Sequence, residues 1–232
     1  LDGLRKFYAK TTEVKGDRLQ LDLLKYADAI IFQSKESLEQ FRKMTGKICA
    51  QHYVVHNAVD QDIFNIKEKK YWNKKDKLRI FATSWSKNPM KGFKDIARLS
   101  KLENVIVNFV GNWPAEINSE NVNLKPAVPQ PLLAEEYKKN DLFFFPSRNE
   151  ACPNVVFEAL SSGLPVIYHP SGGTPEIVSS YGVELKDDLH ATLDEVVNRY
   201  DVIIERIKKD YLLFSIDYAG KKYAEVFQEV CK

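Results

Sequence analysis

The stretch Asn149-Glu150-Ala151-Cys152-Pro153-Asn154-Val155-Val156-Phe157-Glu158-Ala159-Leu160 is the most informative part of this sequence. It follows the run 142–145, which is apolar without alternation, as is typical of a parallel strand buried on both faces. Residues 155–162 then have the apolar spacing of a helix. Glu150 and Glu158 are therefore predicted near the carboxyl edge of a parallel sheet, where open α/β folds bind ligands.

Outward from this stretch, short apolar runs alternate with helical patterns, which predicts right-handed βαβ units and a parallel sheet. The predicted strands are 29–32, 53–55, 78–82, 105–110, 122–125, 142–145 and 164–168. The predicted helices run through Leu19, Leu23 and Tyr26, open at Ser34, cover 92–101 and 155–162, run from Leu189 to Ile207, and cover 215–230.

Composition excludes several classes of protein. The 232 residues include 34 Lys or Arg and 32 Asp or Glu, and a formal net charge of +2 argues against a histone-like or ribosomal role. No run of about 18 apolar residues is present, so no membrane-spanning helix is predicted. The start has neither an initiator Met nor a signal-peptide core, and we interpret it as a chain entered partway.

The cysteines Cys49, Cys152 and Cys231 include no C-x-x-C pair, which argues against a zinc site or a disulfide framework. Because the sequence shows no targeting segment, we expect a reducing cytosol as the default compartment.

The predicted surroundings of Glu150 and Glu158 suggest which class of ligand they bind. Asn154 is a candidate N-cap, and the free N–H groups after it form a natural seat for phosphate. Carboxylates accept hydrogen bonds from sugar hydroxyls, so two acids beside such a helix start suggest a sugar nucleotide. The alternative remains open that Glu158 is a surface helix residue and Glu150 a loop charge.

A known family shares this pattern. The spacing E-x7-E recurs there together with further motifs in the same order, which span nearly the whole chain. In this sequence they are Gln33-Ser34, His56-Asn57-Ala58-Val59-Asp60 with Phe64, Lys91-Gly92, Gly163-Leu164-Pro165-Val166-Ile167 and Gly172-Gly173-Thr174-Pro175-Glu176. The series resembles the retaining glycosyltransferases of family four, which have the GT-B architecture.

The resemblance implies a division of the chain into three parts. Residues 61–212 would form the Rossmann-like domain that binds the nucleotide sugar. Residues 1–60 would be the end of the acceptor-side domain and the linker, and residues 213–232 the helix that packs back toward it. Most of the N-terminal domain would then be absent, so this fragment would be an incomplete enzyme.

The resemblance also implies roles for the charged residues. Glu158 would bind the ribose hydroxyls of the nucleotide. Glu150 and Lys91 would be the catalytic residues: Glu150 would contact the transferred sugar and stabilise positive charge at its anomeric carbon. Lys91 would neutralise the diphosphate leaving group.

Further contacts to the donor follow from the same resemblance. The backbone amides of Asn154, Val155 and Val156 would bind the phosphates, and the base would stack near Val128. The family usually carries an Arg about five residues before the Lys-Gly pair, whereas here the segment Trp85-Ser86-Lys87 occupies that region. Ser86 or Lys87 would then take over a phosphate contact, although Lys lacks the bidentate fork of Arg.

Four other features receive structural interpretations. Asp60-Gln61-Asp62 matches a metal-binding D-x-D, yet it lies in the linker motif, and no metal site is predicted. We interpret His169 as an ordinary loop residue and Cys152 as a small buried filler. The Lys-rich stretch 67–79, with Tyr71 and Trp72, is interpreted as a solvated loop between domains, with binding of nucleic acid or a membrane surface as alternatives.

The predicted function is transfer of a hexose from a UDP-sugar or GDP-sugar to a glycan or lipid-linked acceptor, with retained anomeric configuration. The resemblance implies no cofactor and no obligatory metal. We expect no nucleic-acid partner and a cytoplasmic location, and peripheral contact with the inner face of a membrane stays open. The alternatives are a non-catalytic module that binds sugar nucleotides, or a GT-B sugar-nucleotide epimerase or phosphorylase.

Overall fold

The computed structural model describes residues 4, 7, 15–46, 48 and 50–232, so Cys49 lies outside the described residues. A small unit begins the described chain. It consists of α1 (Lys15–Leu23), β1 (Ala29–Phe32), α2 (Lys35–Thr45) and β2 (Gln51–Val54). The two strands pair in parallel, and buried side chains such as Phe32 and Phe41 form a separate small core.

The predicted start of α2 at Ser34 is confirmed. The Ser34 hydroxyl accepts a hydrogen bond from the Ser37 N–H at 3.0 Å, and the Ser37 hydroxyl accepts one from the Ser34 N–H at 3.0 Å. This reciprocal cap satisfies two of the N–H groups that a helix start leaves without intrahelical partners.

A six-stranded parallel sheet forms the rest of the molecule. Its strands are β3 (Leu78–Ser84), β4 (Val105–Gly111), β5 (Val122–Lys125), β6 (Leu142–Phe145), β7 (Val166–Tyr168) and β8 (Gly182–Glu184). Their spatial order is β5-β4-β3-β6-β7-β8. The order reverses between β3 and β6, and this reversal creates the crevice at which doubly wound sheets bind ligands. The prediction of a Rossmann-like parallel sheet flanked by helices is confirmed.

The helices of this part are α3 (Phe93–Leu99), α4 (Gln130–Lys138), α5 (Asn154–Ser161), α6 (Thr174–Val178), α7 (Leu189–Lys209) and α8 (Ile216–Val230). The long amphipathic helix predicted from Leu189 is confirmed as α7, which buries Tyr200 and three isoleucines in the main core. None of these helices, nor those of the small unit as described, combines the length and the apolar character needed to cross a membrane.

One predicted helix start is wrong by a residue. Helix α5 begins at Asn154, and Pro153 occupies the N-cap position without a side-chain cap. Proline suits this place because its φ of −72° is compatible with helix entry and it has no N–H to satisfy. The Asn154 side chain instead accepts a hydrogen bond from the amide of Asn57 at 2.6 Å.

The Lys-rich stretch is packed more tightly than a solvated loop. Lys69 is 9% exposed, and its ammonium donates to the backbone carbonyls of Lys138 and Asn140. Burial lowers the pKa of Lys69 to about 7. Tyr71 and Trp72 pack against the main core. The interpretation as a wholly solvated loop is therefore wrong, because the rings and Lys69 are used in packing.

The chain crosses between the two units at Val59 and again near Ser215. The Val59 N–H donates to the Phe214 carbonyl at 3.0 Å, and the Ile216 N–H donates to the Val59 carbonyl at 3.0 Å. Beyond this crossing, the amide of Gln51 donates to Glu229 of α8 at 3.0 Å, so the last helix reaches the small unit. The three-part division at residues 60 and 212 stays a prediction.

An ion pair ties the amino-terminal ends of β3 and β6. Asp141 is fully buried and accepts hydrogen bonds from the Arg79 backbone N–H and from its guanidinium at 2.9, 3.0 and 2.7 Å. The bidentate geometry suits the planar fork of Arg, and three donors compensate the buried carboxylate for its lost hydration.

We expect Asp141→Asn to lower the free energy of unfolding by about 2 kcal/mol, because an amide offers one acceptor oxygen where the buried carboxylate accepts three hydrogen bonds. Urea unfolding measures this change. The matched control is Asp201→Ala, which removes the exposed partner of Lys74 and should cost less than about 0.5 kcal/mol. Equal losses in the two variants would contradict the special role of the Arg79–Asp141 pair.

Candidate functional site at the carboxyl edge of the sheet

A cleft of about 460 Å³ opens beside the carboxyl ends of β3 and β6, at the reversal of strand order. It brings together five of the predicted site residues. Its lining consists of Gln33, Asn57, Trp85, Lys91, Phe145, Glu150, Ala151, Cys152, Pro153, Asn154, Val155 and Glu158. Polar groups from both units thus meet around a single crevice.

Lys91 is placed by the residue that follows it. Gly92 has a φ of +73°, in the left-handed region that favours glycine, and it is the N-cap residue of α3. A Cβ at Gly92 would lie 2.7 Å from Pro146, which directly follows β6. The absence of a side chain therefore lets the loop after β3 approach the end of β6. As a result, the Lys91 ammonium lies 2.6 Å from the Glu150 Oε1 atom.

Glu150 lies in a loop whose backbone is held on two sides. The Asn149 N–H donates to the Ser171 hydroxyl at 3.0 Å, and the Gly173 N–H donates to the Glu150 carbonyl at 2.7 Å. A Cβ at Gly173 would come within 2.0 Å of the Ala151 carbonyl oxygen, so only glycine fits there. The Ser147 hydroxyl donates to the Glu150 carboxylate at 3.0 Å. Glu150 is thus a fixed acceptor beside a cation.

Glu158 lies deeper, on α5, and is 8% exposed. The hydroxyl of the fully buried Tyr137 donates to its Oε2 atom at 3.0 Å. Burial raises the pKa of Glu158, and the hydrogen bond from Tyr137 lowers it in part. Burial and the Glu158 charge raise the pKa of Tyr137 well above its usual value, so its hydroxyl keeps its proton. Glu158 is therefore a buried acceptor, held in place by Tyr137, that faces the cleft. An exposed charge on the surface of a helix would have neither property.

The start of α5 offers fewer amides than predicted. The Val156 N–H donates to the Pro153 carbonyl at 3.1 Å, so that donor is already used within the chain. The first-turn N–H groups of Asn154 and Val155 have no intrahelical acceptors. Two amides and the positive end of the helix dipole therefore remain at the cleft wall for an anion.

The remaining predicted donor contacts lie at different distances from the cleft. Ser86 lines a smaller adjoining cavity of about 150 Å³, and its hydroxyl accepts a hydrogen bond from the Asn88 N–H at 3.1 Å. Lys87 is exposed, and Val128 packs against the main core. The residues that line the cleft include neither Lys87 nor Val128.

Two other interpretations from the sequence concern His169 and Asp60. His169 binds the Ser171 hydroxyl through Nδ1 at 2.9 Å, and burial followed by the Arg148 charge lowers the His169 pKa. Asp60 accepts a hydrogen bond from the Asp62 N–H at 2.8 Å. Within the described part of the chain, no three His, Cys, Asp or Glu side chains are grouped as a metal would require.

The sequence analysis missed two residues that orient the acids, Tyr137 and Ser147. Ser147 follows a predicted strand by two positions, so its place at the sheet edge was a usable signal. Tyr137 lies on α4, a helix that the pattern did not predict, and its partner lies 21 residues away. Only the packing of α4 against α5 brings that hydroxyl to Glu158.

Comparison with known proteins gives the same assignment. Residues 62–201 match the family described as "Glycosyl transferases group 1". Sulfoquinovosyl transferase SQD2 of Arabidopsis thaliana is 35% identical over 86 residues, which cover 34% of this chain and 17% of that protein. This chain therefore spans a small part of that relative.

Solved structures share the fold at low identity. Sucrose-phosphate synthase from Thermosynechococcus elongatus has a TM-score of 0.73 at 14% identity, and the match covers 99% of this chain and 66% of that one. Anabaena HepE, in complex with UDP and glucose, has a TM-score of 0.75 at 16% identity, with 98% and 70% covered.

The family match covers more than half of the chain, and the architecture agrees with that of the GT-B glycosyltransferases. The predicted resemblance is therefore confirmed at the level of the family. This chain belongs to the group 1 glycosyl transferases.

Proposed function

We propose that this chain is the donor-binding part of a retaining hexosyltransferase, which moves a hexose from a nucleoside diphosphate sugar to a glycan or lipid-linked acceptor. The observation that carries the proposal is the joint placement of the Lys91–Glu150 pair and buried Glu158 in one cleft. The complexes of HepE with UDP and glucose, and of a pneumococcal O-GlcNAc transferase with UDP and GlcNAc, support a sugar nucleotide as the ligand class.

The proposed roles follow from charge. Lys91, with the free amides of Asn154 and Val155, would face the diphosphate, where negative charge grows as the bond to the sugar breaks. Glu150 would face the anomeric carbon, where positive charge develops. The departing phosphate would take the proton of the acceptor hydroxyl, and attack on the same face would retain the anomeric configuration.

Product analysis tests this function against its alternatives. The complete enzyme should form a new glycosidic bond to an acceptor and release a nucleoside diphosphate. A changed sugar nucleotide without acceptor would indicate an epimerase, and binding without turnover in the complete enzyme would indicate a non-catalytic module. Release of a sugar phosphate from a glycan would indicate a phosphorylase.

The two glutamates should have separable kinetic effects in the complete enzyme. Ribose is the same in ground and transition states, so Glu158→Gln should raise KM and weaken nucleotide binding while kcat stays nearly unchanged. Glu150→Gln should lower kcat by about 10²–10³, by analogy with a lost oxyanion donor, and leave nucleotide affinity near wild type. Calorimetry without acceptor and steady-state kinetics measure both. A reversed pattern would contradict the assignment.

Tyr137→Phe should shift the pH dependence of nucleotide binding. Ribose hydroxyls donate to the ionised Glu158, so affinity falls as pH decreases through the Glu158 pKa. The hydrogen bond from Tyr137 lowers that pKa, and its loss should move the midpoint of the affinity profile to higher pH. Calorimetry at a series of pH values measures the midpoint.

The matched control is Tyr200→Phe. Tyr200 is also buried, and its hydroxyl accepts a hydrogen bond from the backbone N–H of Trp72 and does not contact Glu158. That variant should leave the midpoint unchanged. An unshifted midpoint in Tyr137→Phe would show that Tyr137 does not tune the ribose contact.

We expect transfer without divalent metal, because Lys91 and two helix amides supply positive charge for the diphosphate. The Asp60 carboxylate is engaged by a backbone N–H. A chelator should therefore leave the rate of the complete enzyme unchanged. Abolition of transfer by the chelator, with recovery in Mn²⁺ or Mg²⁺, would contradict this assignment of the phosphate site.

A further inference from the structure

The three tryptophans of the chain have different environments. The indole N–H groups of Trp72 and Trp113 donate to the carbonyls of Asp76 and Ile117, each at 2.8 Å. Both rings also pack edge-on against aromatic side chains of the main core. These two residues are partly buried against the core, and each has an apolar ring contact and a satisfied N–H.

Trp85 has none of these contacts within the described part of the chain. Trp85 is 63% exposed and directly follows β3. It lines both the main cleft and the smaller adjoining cavity. An indole left in water contributes little to folding, since the stabilisation scales with apolar area that is removed from water. Stability of the fold therefore does not explain a tryptophan at this position.

The backbone around Trp85 is fixed by hydrogen bonds. The amide of Asn112 donates to the Trp85 carbonyl at 2.7 Å, and the Asn112 N–H donates to the Ser84 carbonyl at 2.9 Å. The Ser84 hydroxyl donates to the Ser86 carbonyl at 2.7 Å, which closes a tight turn of the backbone at Trp85. The backbone position of Trp85 at the cleft is therefore fixed before a ligand binds, and preorganisation of this kind lowers the entropy cost of binding.

We propose that Trp85 is an aromatic platform on which a pyranose ring stacks in the cleft. One face of a pyranose carries C–H groups, which are apolar and slightly positive, and the face of an indole is electron-rich. Amphipathic rings of this kind suit a ligand that presents both hydroxyls and an apolar face.

The position of Trp85 favours a sugar over a nucleobase. Trp85 and Lys91 line both cavities, so the indole is on the same wall as the proposed diphosphate contact. In a sugar nucleotide the sugar is bonded directly to the diphosphate, whereas the base is separated from it by the ribose. This inference rests on the proposed function and identifies a sugar-contacting residue that the charged groups do not supply.

The test compares sugar nucleotides with their nucleoside diphosphates. The probes are UDP-glucose and UDP, GDP-mannose and GDP, and ADP-glucose and ADP, measured by calorimetry on the wild type and on Trp85→Ala. The pair that binds the wild type is then used throughout. We expect Trp85→Ala to weaken the sugar nucleotide about tenfold, and the nucleoside diphosphate by less than about twofold.

Two further variants exclude non-specific effects. Trp85→Phe should retain most of the affinity, because phenylalanine also presents an aromatic face. Val202→Ala, which truncates a side chain of α7 that is 56% exposed, should change neither affinity. Tryptophan fluorescence adds a direct readout: its response to the sugar nucleotide should persist in Trp113→Phe and disappear in Trp85→Phe.

The pyranose that stacks on Trp85 can belong to the donor or to the acceptor. A second titration distinguishes these two cases. Methyl glucoside is titrated into the wild type and into Trp85→Ala, each saturated with UDP or with the diphosphate that binds. A loss confined to the sugar nucleotide assigns the platform to the donor, and a loss confined to the glucoside assigns it to the acceptor.

If neither loss occurs, or if the plain nucleoside diphosphate is weakened as strongly as the sugar nucleotide, the pyranose platform is overturned while the proposed function stands. Failure of the wild type to bind any of the nucleotides overturns the proposed function, and the platform with it.

Discussion

The pairing of β3 with β6 is the contact on which the rest of this structure depends. An ion pair lies at each end of it: Arg79 binds buried Asp141 where the strands begin, and Lys91 binds Glu150 in the loops after they end. The strands between them are buried, with Ile80 opposite Leu142. Because the strand order reverses at this pair, the helices that follow β3 and β6 diverge and leave a crevice. The same pairing thus stabilises the sheet and forms the cleft.

Close backbone approach then sets the chemistry of that cleft. Gly92 brings the loop after β3 against Pro146, and Gly173 brings a distant loop against Ala151. Charged side chains are thereby held at fixed positions that flexible loops would not maintain. Burial of Glu158 is unfavourable for its charge, and the hydroxyl of Tyr137 compensates part of that cost. The cost is consistent with a residue retained for binding, since a buried carboxylate is a strong acceptor for a hydroxyl.

The sequence predicted the long and strongly patterned elements best. The bounds 29–32, 122–125 and 142–145 agree with the strands found, and the long helix α7 was also identified. The pattern missed α4, α6 and β8. β8 has three residues at the edge of the sheet, α6 has five residues, and α4 carries prolines before and within its first turn. Short elements of this kind derive their stability from tertiary packing, so local patterns contain little information about them.

What the sequence by itself determined is the fold class, the family and the position of Glu150 and Glu158 near one sheet edge, and the resemblance to the family identified Lys91. Periodicity and motif order are local properties, and strand ends in a parallel sheet share an edge whatever the details of packing. The tertiary structure alone decided that Tyr137 and Ser147 orient the two glutamates and that Lys69 is buried. It also decided that the Val156 N–H is hydrogen-bonded to the Pro153 carbonyl. It also left Trp85 exposed while the two other tryptophans pack, partly buried, against the main core. These outcomes depend on distances between side chains far apart in the chain, which no local pattern specifies.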